Sequence, residues 1–138
     1  MTSAFVGDCV SSEETLTKYG ISYLWDVAAS LKTLEAVKTI EAKRLVPAHA
    51  PVSDSMTALA ERNEAAITEA GERILSCCVG ATFETVLQRV FTEYGLTMNA
   101  QQYALIGSTV RSYLSWLHGQ GKVGFTFADN QMLWTKNE

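Results

Sequence analysis

The stretch Ala4-Phe5-Val6-Gly7-Asp8-Cys9-Val10-Ser11-Ser12-Glu13-Glu14 (AFVGDCVSSEE, residues 4–14) decides how the chain reads. Residues 3–6 form an apolar strand pattern that stops at Gly7, which places Asp8 on the turn that follows. Ser11 and Glu14 have capping-box spacing, in which a hydroxyl and a carboxylate satisfy orphan amides reciprocally. A short helix therefore starts almost at once and ends near Tyr19-Gly20, where glycine can adopt the left-handed stop conformation. A carboxylate at a strand-to-turn junction can ligate a metal or hold a catalytic water. The same residue can equally serve an Asx turn or a cap. As a ligand, Asp8 needs partners, and only seven residues precede it.

Working outward, a helix is expected from Asp26, with Leu24, Val27, Leu31, Leu34, Val37 and Ile40 recurring every three or four residues. Lys32, Glu35, Lys38 and Glu41 fall mostly off that stripe. Next, Arg44-Leu45-Val46-Pro47-Ala48-His49-Ala50 reads as a short buried strand, Leu45-Val46, broken by Pro47 and running into a loop bounded by Pro51. From Ser53 the pattern is helical, with Met56, Leu59, Asn63, Ala66, Ile67, Ala70 and Ile74 on one face, and Gly80 stops it. Thr82 caps a second helix with the stripe Phe83, Val86, Leu87, Val90, Phe91 and Tyr94. Asn99 with Gln102 caps a third, whose stripe is Tyr103, Ile106, Val110, Tyr113, Leu114 and Leu117. Gly119 and Gly121 release the chain into Val123–Trp134, where alternating Val123, Phe125 and Phe127, a turn at Asp129-Asn130 and a returning segment spell a β-hairpin.

Composition bounds the reading. The 138 residues are 47% hydrophobic and 19% charged, as expected of a globular, soluble chain forming one ordinary domain or two small ones. No apolar run is long enough for a membrane span, and no basic-then-apolar leader pattern opens the chain. Cys9, Cys77 and Cys78 form an odd set without C-x-x-C spacing, which points to a reducing compartment, the cytoplasm, and away from a disulfide framework or zinc ribbon. Cys77 and Cys78 read as core thiols, and His118 as a cation at a helix end.

The segments FVGDCVSSEE, SYLWDVAASLKTLEAV and RLVPAHA, in that order, resemble the closing section of metallo-β-lactamase superfamily hydrolases. In that family a strand ends in Gly-Asp, a Ser-containing helical stretch follows, and a second strand ends in a Pro-Gly-His turn. The resemblance implies that Asp8 corresponds to a carboxylate bridging two metal ions and His49 to a terminal imidazole ligand of one of them. The cofactor implied is a pair of divalent metals, zinc or another, whose bound hydroxide attacks an ester, thioester, amide or phosphodiester. The turn here is Pro47-Ala48-His49, with alanine in the place of the family's glycine. The family's H-x-H-x-D-H cluster belongs upstream of the Gly-Asp strand, and the only histidines here are His49 and His118. The chain is thus expected to be a C-terminal portion, inactive alone, whose partner is the missing N-terminal half of the sandwich.

Three helices followed by a hairpin resemble a winged-helix domain. The expected fold is accordingly an α/β fragment, residues 1–52, closing an αββα sandwich, then a mainly α winged-helix-like domain, residues 53–138, with a C-terminal β-hairpin. Some metallo-β-lactamase-like hydrolases carry such a C-terminal domain, including a branch similar to β-lactamase-like protein 2 that acts on RNA. The alternative is a winged-helix binding module for nucleic acid or a protein partner. Its candidate contacts are Gln101, Gln102, Ser108, Arg111, Ser112 and Lys122, with Ser115 on the same polar face. The net charge of −4, and the balance of four basic against four acidic residues from Gly80 onward, supply little phosphate attraction. A third possibility is a degenerate domain kept for oligomer contacts. A sandwich part without its partner sheet is expected to expose Leu31, Leu34, Val37 and the strand residues and to form a homodimer or higher oligomer, with segments 1–50 paired between chains.

Overall fold

The computed structural model describes residues 3–41, 44–53 and 55–138, with Tyr19, Arg44 and His49 described by their backbone alone. The described residues contain five helices and five strands, divided between two compact units. One unit comprises Met1–Ser22 with Ala28–Thr68, and the other Tyr23–Val27 with Glu69–Glu138. The sequence pattern suggests a boundary at 52/53, whereas compactness divides a helix at 68/69.

In the first unit, β1 (Ser3–Ser11) runs parallel to β2 (Arg44–His49). The strand does not stop at Gly7, as its sequence suggested. Gly7 takes φ +61°, a left-handed conformation open to glycine, and the strand resumes beyond it. From Phe5 to Ser11, β1 takes six residue steps, while β2 takes three from Val46 to His49. The excess is bulged out between Phe5 and Ser11, around Asp8. Pro47 also fails to break its strand. It sits opposite Gly7, at the point where the register shifts and the ladder does without an amide donor.

Between the strands lie α1 (Glu13–Tyr19) and α2 (Val27–Lys38). The cap of α1 is Ser12 rather than Ser11, its hydroxyl accepting the Thr15 N–H at 3.2 Å. Ser11 is unavailable because Asn63, on α3 (Thr57–Ser76), holds both of its backbone groups. The Ser11 N–H donates to Asn63 Oδ1 at 2.9 Å, and Asn63 Nδ2 donates to the Ser11 carbonyl at 2.9 Å and to the Leu59 carbonyl at 2.8 Å. Leu34 and Val37 are buried within the chain and Leu31 is half-buried, so the apolar face expected to be exposed on α2 is largely covered, whereas Phe5 on β1 is exposed. Lys38 Nζ, at the end of α2, meets Glu64 on α3 at 2.7 Å and Glu35 at 2.9 Å, which ties the two helices together over that face. α3 starts at Thr57, not Ser53, because Ser53 is drawn into a backbone bridge with Leu45.

In the second unit the end of α3 joins α4 (Phe83–Glu93) and α5 (Ala100–Gly119). Thr82 and Asn99 cap these helices, accepting the Thr85 and Gln102 N–H groups. Val86, Leu87, Val90, Phe91, Ile106, Val110, Tyr113, Leu114 and Leu117 are all buried and form the core. Gly71 lies so close to α5 that a Cβ there would meet the Trp116 ring at 2.9 Å, a packing role that keeps the position small. The sheet of this unit has the order β3-β5-β4, with β4 (Val123–Ala128) and β5 (Gln131–Lys136) antiparallel about Asp129 and Asn130, both at positive φ. β3 (Val79–Ala81) occupies the place where the sequence suggested only a helix stop. Its pairing draws on the Lys136 N–H, which donates to the Cys78 carbonyl at 2.9 Å.

This packing can be tested at Asn63 and at Cys78. Asn63→Ala leaves the Ser11 amide and carbonyl without partners in a half-buried site, and should cost about 2–3 kcal/mol in denaturant unfolding; an unchanged midpoint would show the lock to be dispensable. Burial, reinforced by the neighbouring Cys77, pushes the Cys78 thiol up to about 11. The folded state thus holds this proton more tightly than the unfolded chain. The stability it contributes is complete below the ordinary thiol range and is lost as pH rises from there towards 11. Cys78→Ala should flatten that alkaline loss in a melting-temperature profile.

Candidate functional site

Asp8 and His49 fall on adjacent parallel strands. Gly7 lies opposite Pro47 and Ser11 opposite His49, so the bulged residues 8–10 of β1 flank the Pro47-Ala48-His49 segment of β2. Asp8 is exposed, whereas Val10 and Pro47 are buried, as expected where a bulge re-aims alternate side chains. The bulge is thus the local device that presents a carboxylate beside the Pro-Ala-His segment. The side chain of His49 lies outside the described residues, and the placement rests on its backbone register.

Cys9, next to Asp8, donates its Sγ–H to the Val6 carbonyl at 2.8 Å. Burial, with the adjacent Asp8 charge adding to it, raises the Cys9 thiol and outweighs the opposing backbone hydrogen bond. At neutral pH this is a thiol, not a thiolate ligand. Among the described residues no group of three or more His, Cys, Asp or Glu side chains could hold a metal ion. The donors described do not by themselves fit a metal centre, and no reaction step through a metal is derived for this chain.

A hollow of about 700 Å³ opens just beyond the two strands, lined by Ser12, Glu13 and Glu14 after β1, by Ala50 and Pro51 after β2, and by Met56. Asp8 does not line it. Glu13 is held by Arg62 Nε at 2.9 Å, an exposed pair of small energetic weight.

The residues suggested for nucleic-acid contact do not form one free face. Residues Tyr23–Val27 lie as a strap along α5. The Leu24 N–H donates to Thr109 Oγ1 at 3.2 Å, the Val27 N–H donates to Ser112 Oγ at 3.0 Å, and the Tyr23 hydroxyl donates to Gln102 Oε1 at 3.3 Å. Gln102 and Ser112 are therefore occupied. The Arg111 guanidinium sits 3.7 Å from the centre of the Phe83 ring, and Lys122 Nζ is 3.4 Å from Glu72. Gln101 and Ser108 are exposed. His118 places Nδ1 3.1 Å from the Val123 carbonyl, and its ring tilts against Phe125. The strap had no signature in the sequence, because its bonds come from backbone amides of an irregular segment. Asn63 did leave one, as a polar residue on an otherwise apolar stripe.

No protein-family model and no curated protein matches the sequence. Among solved structures, a metallo-β-lactamase family protein from Thermus thermophilus matches with a TM-score of 0.66 and 16% identity, over 95% of this chain and 40% of that one. This chain has the fold of a piece of a metallo-β-lactamase family protein. A β-lactamase domain protein from Burkholderia ambifaria agrees, with a TM-score of 0.70, 14% identity and the same coverages. The chain thus spans two-fifths of the length of these structures. Within that fold, the parallel strands β1 and β2 are the elements that carry the Gly-Asp and Pro-Ala-His segments.

The bulge makes one residue testable. A Cβ at position 7 would meet nothing within 4 Å, so substitution there strains the backbone without a steric clash. Gly7→Ala should cost about 1–2 kcal/mol through its left-handed conformation. Gly7→Asn should cost less, since asparagine tolerates that region, and an equal loss for both in chemical denaturation would contradict this account.

Proposed function

We propose that this chain is the closing part of a metal-dependent hydrolase of metallo-β-lactamase type, and that it works only together with the rest of the sandwich. The observation that carries the reading is the fold: 95% of the chain superposes on 40% of each of two metallo-β-lactamase proteins. The neighbouring placement of the Asp8 and His49 segments supports it. In this reading residues 1–52 close the sandwich and residues 53–138 form a winged-helix-like domain. The first half of α3, the leading helix of that domain, is held to β1 through Asn63.

Asp8 and His49 are read as two ligands of a zinc or similar divalent site whose remaining donors come from the other part of the sandwich. Carboxylate oxygen and imidazole nitrogen are apt donors for such ions. Phe5 gives independent support. It is 82% exposed on a two-stranded parallel sheet, an arrangement that ordinarily has both faces covered. The free thiols fit a reducing, cytoplasmic setting. The nucleic-acid alternative is weakened by the strap that engages Gln102 and Ser112.

Zinc titration followed by NMR tests the assignment. The His49 ring signals should shift at weak affinity, the response should vanish in Asp8→Ala, and the His118 signals should stay in place. A response at His118 without one at His49 would sink the ligand assignment. The protein prepared without chelator should carry well under one zinc per chain by elemental analysis. Stoichiometric metal that is lost on Asp8→Ala would show that the chain completes a site unaided.

A further inference from the structure

The outer edge of β4 carries an inference separate from the metal-site reading. β4 is an edge strand of the β3-β5-β4 sheet, and its sequence Val123-Gly-Phe-Thr-Phe-Ala128 has no charge and no proline. Its register with β5 is continuous from Val123 to Ala128, without a bulge. Edge strands are ordinarily protected by lysine, proline, a bulge or a covering element. None of the first three is present here.

The direction of the backbone groups can be worked out. The Asn137 N–H donates to the Lys122 carbonyl, while the Lys136 N–H turns the other way, to Cys78. By the alternation of an antiparallel ladder, residues 124, 126 and 128 face β5, and residues 123, 125 and 127 turn their amides to the open edge. His118 meets the Val123 carbonyl, which leaves Phe125 and Phe127 as the open stretch. Their side chains add an apolar face, 40% and 72% exposed respectively. Phe125 packs edge-on against Phe127 and Trp134, at ring separations of 5.9 and 5.4 Å.

We propose that this edge pairs with the same edge of a second copy of the chain, antiparallel about a twofold axis at Phe125. The edge is complementary to itself in that register. Phe125 faces Phe125 of the second copy and Val123 faces Phe127; the outward N–H groups bond across the axis, with the Val123 carbonyl, met by His118 through one lone pair, taking the Phe127 N–H through the other. Cross-strand aromatic pairs and aromatic pairs with β-branched residues are favourable ones. Thr126 stands opposite Gly124, where the Asn137 amide lies with its Oδ1 3.0 Å from the position a Cβ would take, so a hydroxyl meets a polar group there. No like charges meet: Lys122 lies opposite Ala128 and beside Asp129 of the second copy, and the twofold repeats that favourable neighbour at the other end. Such isologous pairing closes on itself and joins two three-stranded sheets into one.

Light scattering across a concentration series, with circular dichroism to verify folding, tests this. The unaltered chain should show twice the mass of one chain. Phe125→Lys and Phe125→Glu should each be monomeric, because like charges then meet at the axis, and a mixture of the two should regain the doubled mass. Phe127→Pro removes an outward amide without touching the ladder to β5, and should also be monomeric if the position-125 variants fail to fold. A monomeric unaltered chain overturns the proposal and leaves the edge to a strand of some other protein. A dimer that persists in Phe125→Lys or Phe127→Pro overturns it too, and would point to β1. Neither result bears on the zinc titration of His49.

Discussion

The amide of Asn63 governs how the first unit is arranged. It binds the N–H and the carbonyl of Ser11 together, as a neighbouring strand would, from a position on a helix. That leaves β1 ended at Ser11, so the next serine becomes the cap of α1. With the strand pinned at Ser11 and in register at Phe5, the residues between them have more length than β2 requires. They bulge, and the bulge is where Asp8 becomes exposed. A buried polar side chain thus sets, through backbone bonds alone, the presentation of the residue on which the functional reading turns. An apolar residue at 63 would fill the space but could not supply both a donor and an acceptor.

In the second unit part of the polar side of α5 is engaged in a similar way, while Gln101 and Ser108 stay exposed. Thr109 and Ser112 receive backbone amides from the strap, and the Thr109 hydroxyl in turn donates to the Leu105 carbonyl at 3.0 Å. Hydroxyls at these positions look like readers of a ligand when the helix is considered alone. Here they serve an irregular segment whose amides would otherwise be unsatisfied. Arg111, the one strong cation of that helix, is spread over Phe83, where its flat guanidinium finds the negative face of the ring.

Much of the fold was legible where periodicity is strong. The stripes of α4 and α5 mark their buried faces, and Thr82 and Asn99 mark their starts, because side-chain oxygens at those positions have one obvious use. The resemblance to metallo-β-lactamase hydrolases likewise rested on two short strand-end motifs. What escaped was governed by partners distant in sequence. Gly7 and Pro47 each read as strand breakers, and they are placed opposite one another, so that two local irregularities are absorbed at one level of the ladder. β3 is three residues long and exists because β5 lies alongside it. Leu34 and Val37 read as an exposed face when no covering element is visible in sequence, yet both are buried.

The distribution of exposed apolar groups separates what this chain completes from what it leaves open. The helices have buried most of their stripes, Tyr103 and Ile40 remaining exposed, and the other large exposed residues include Phe5 on β1, Phe125 and Phe127 on β4, and Trp25 on the strap at 90% exposure. Two of these three places are sheet edges or faces, where backbone amides and aromatic area are exposed together. At β4 the open groups match their own copy under a twofold, with charges that alternate in sign at the ends. At β1 the geometry is different: β1 and β2 run parallel, and a twofold normal to the sheet would set the second copy's strand antiparallel, so self-pairing there does not continue the parallel order. The two edges therefore differ in the direction of the strand that would continue each sheet.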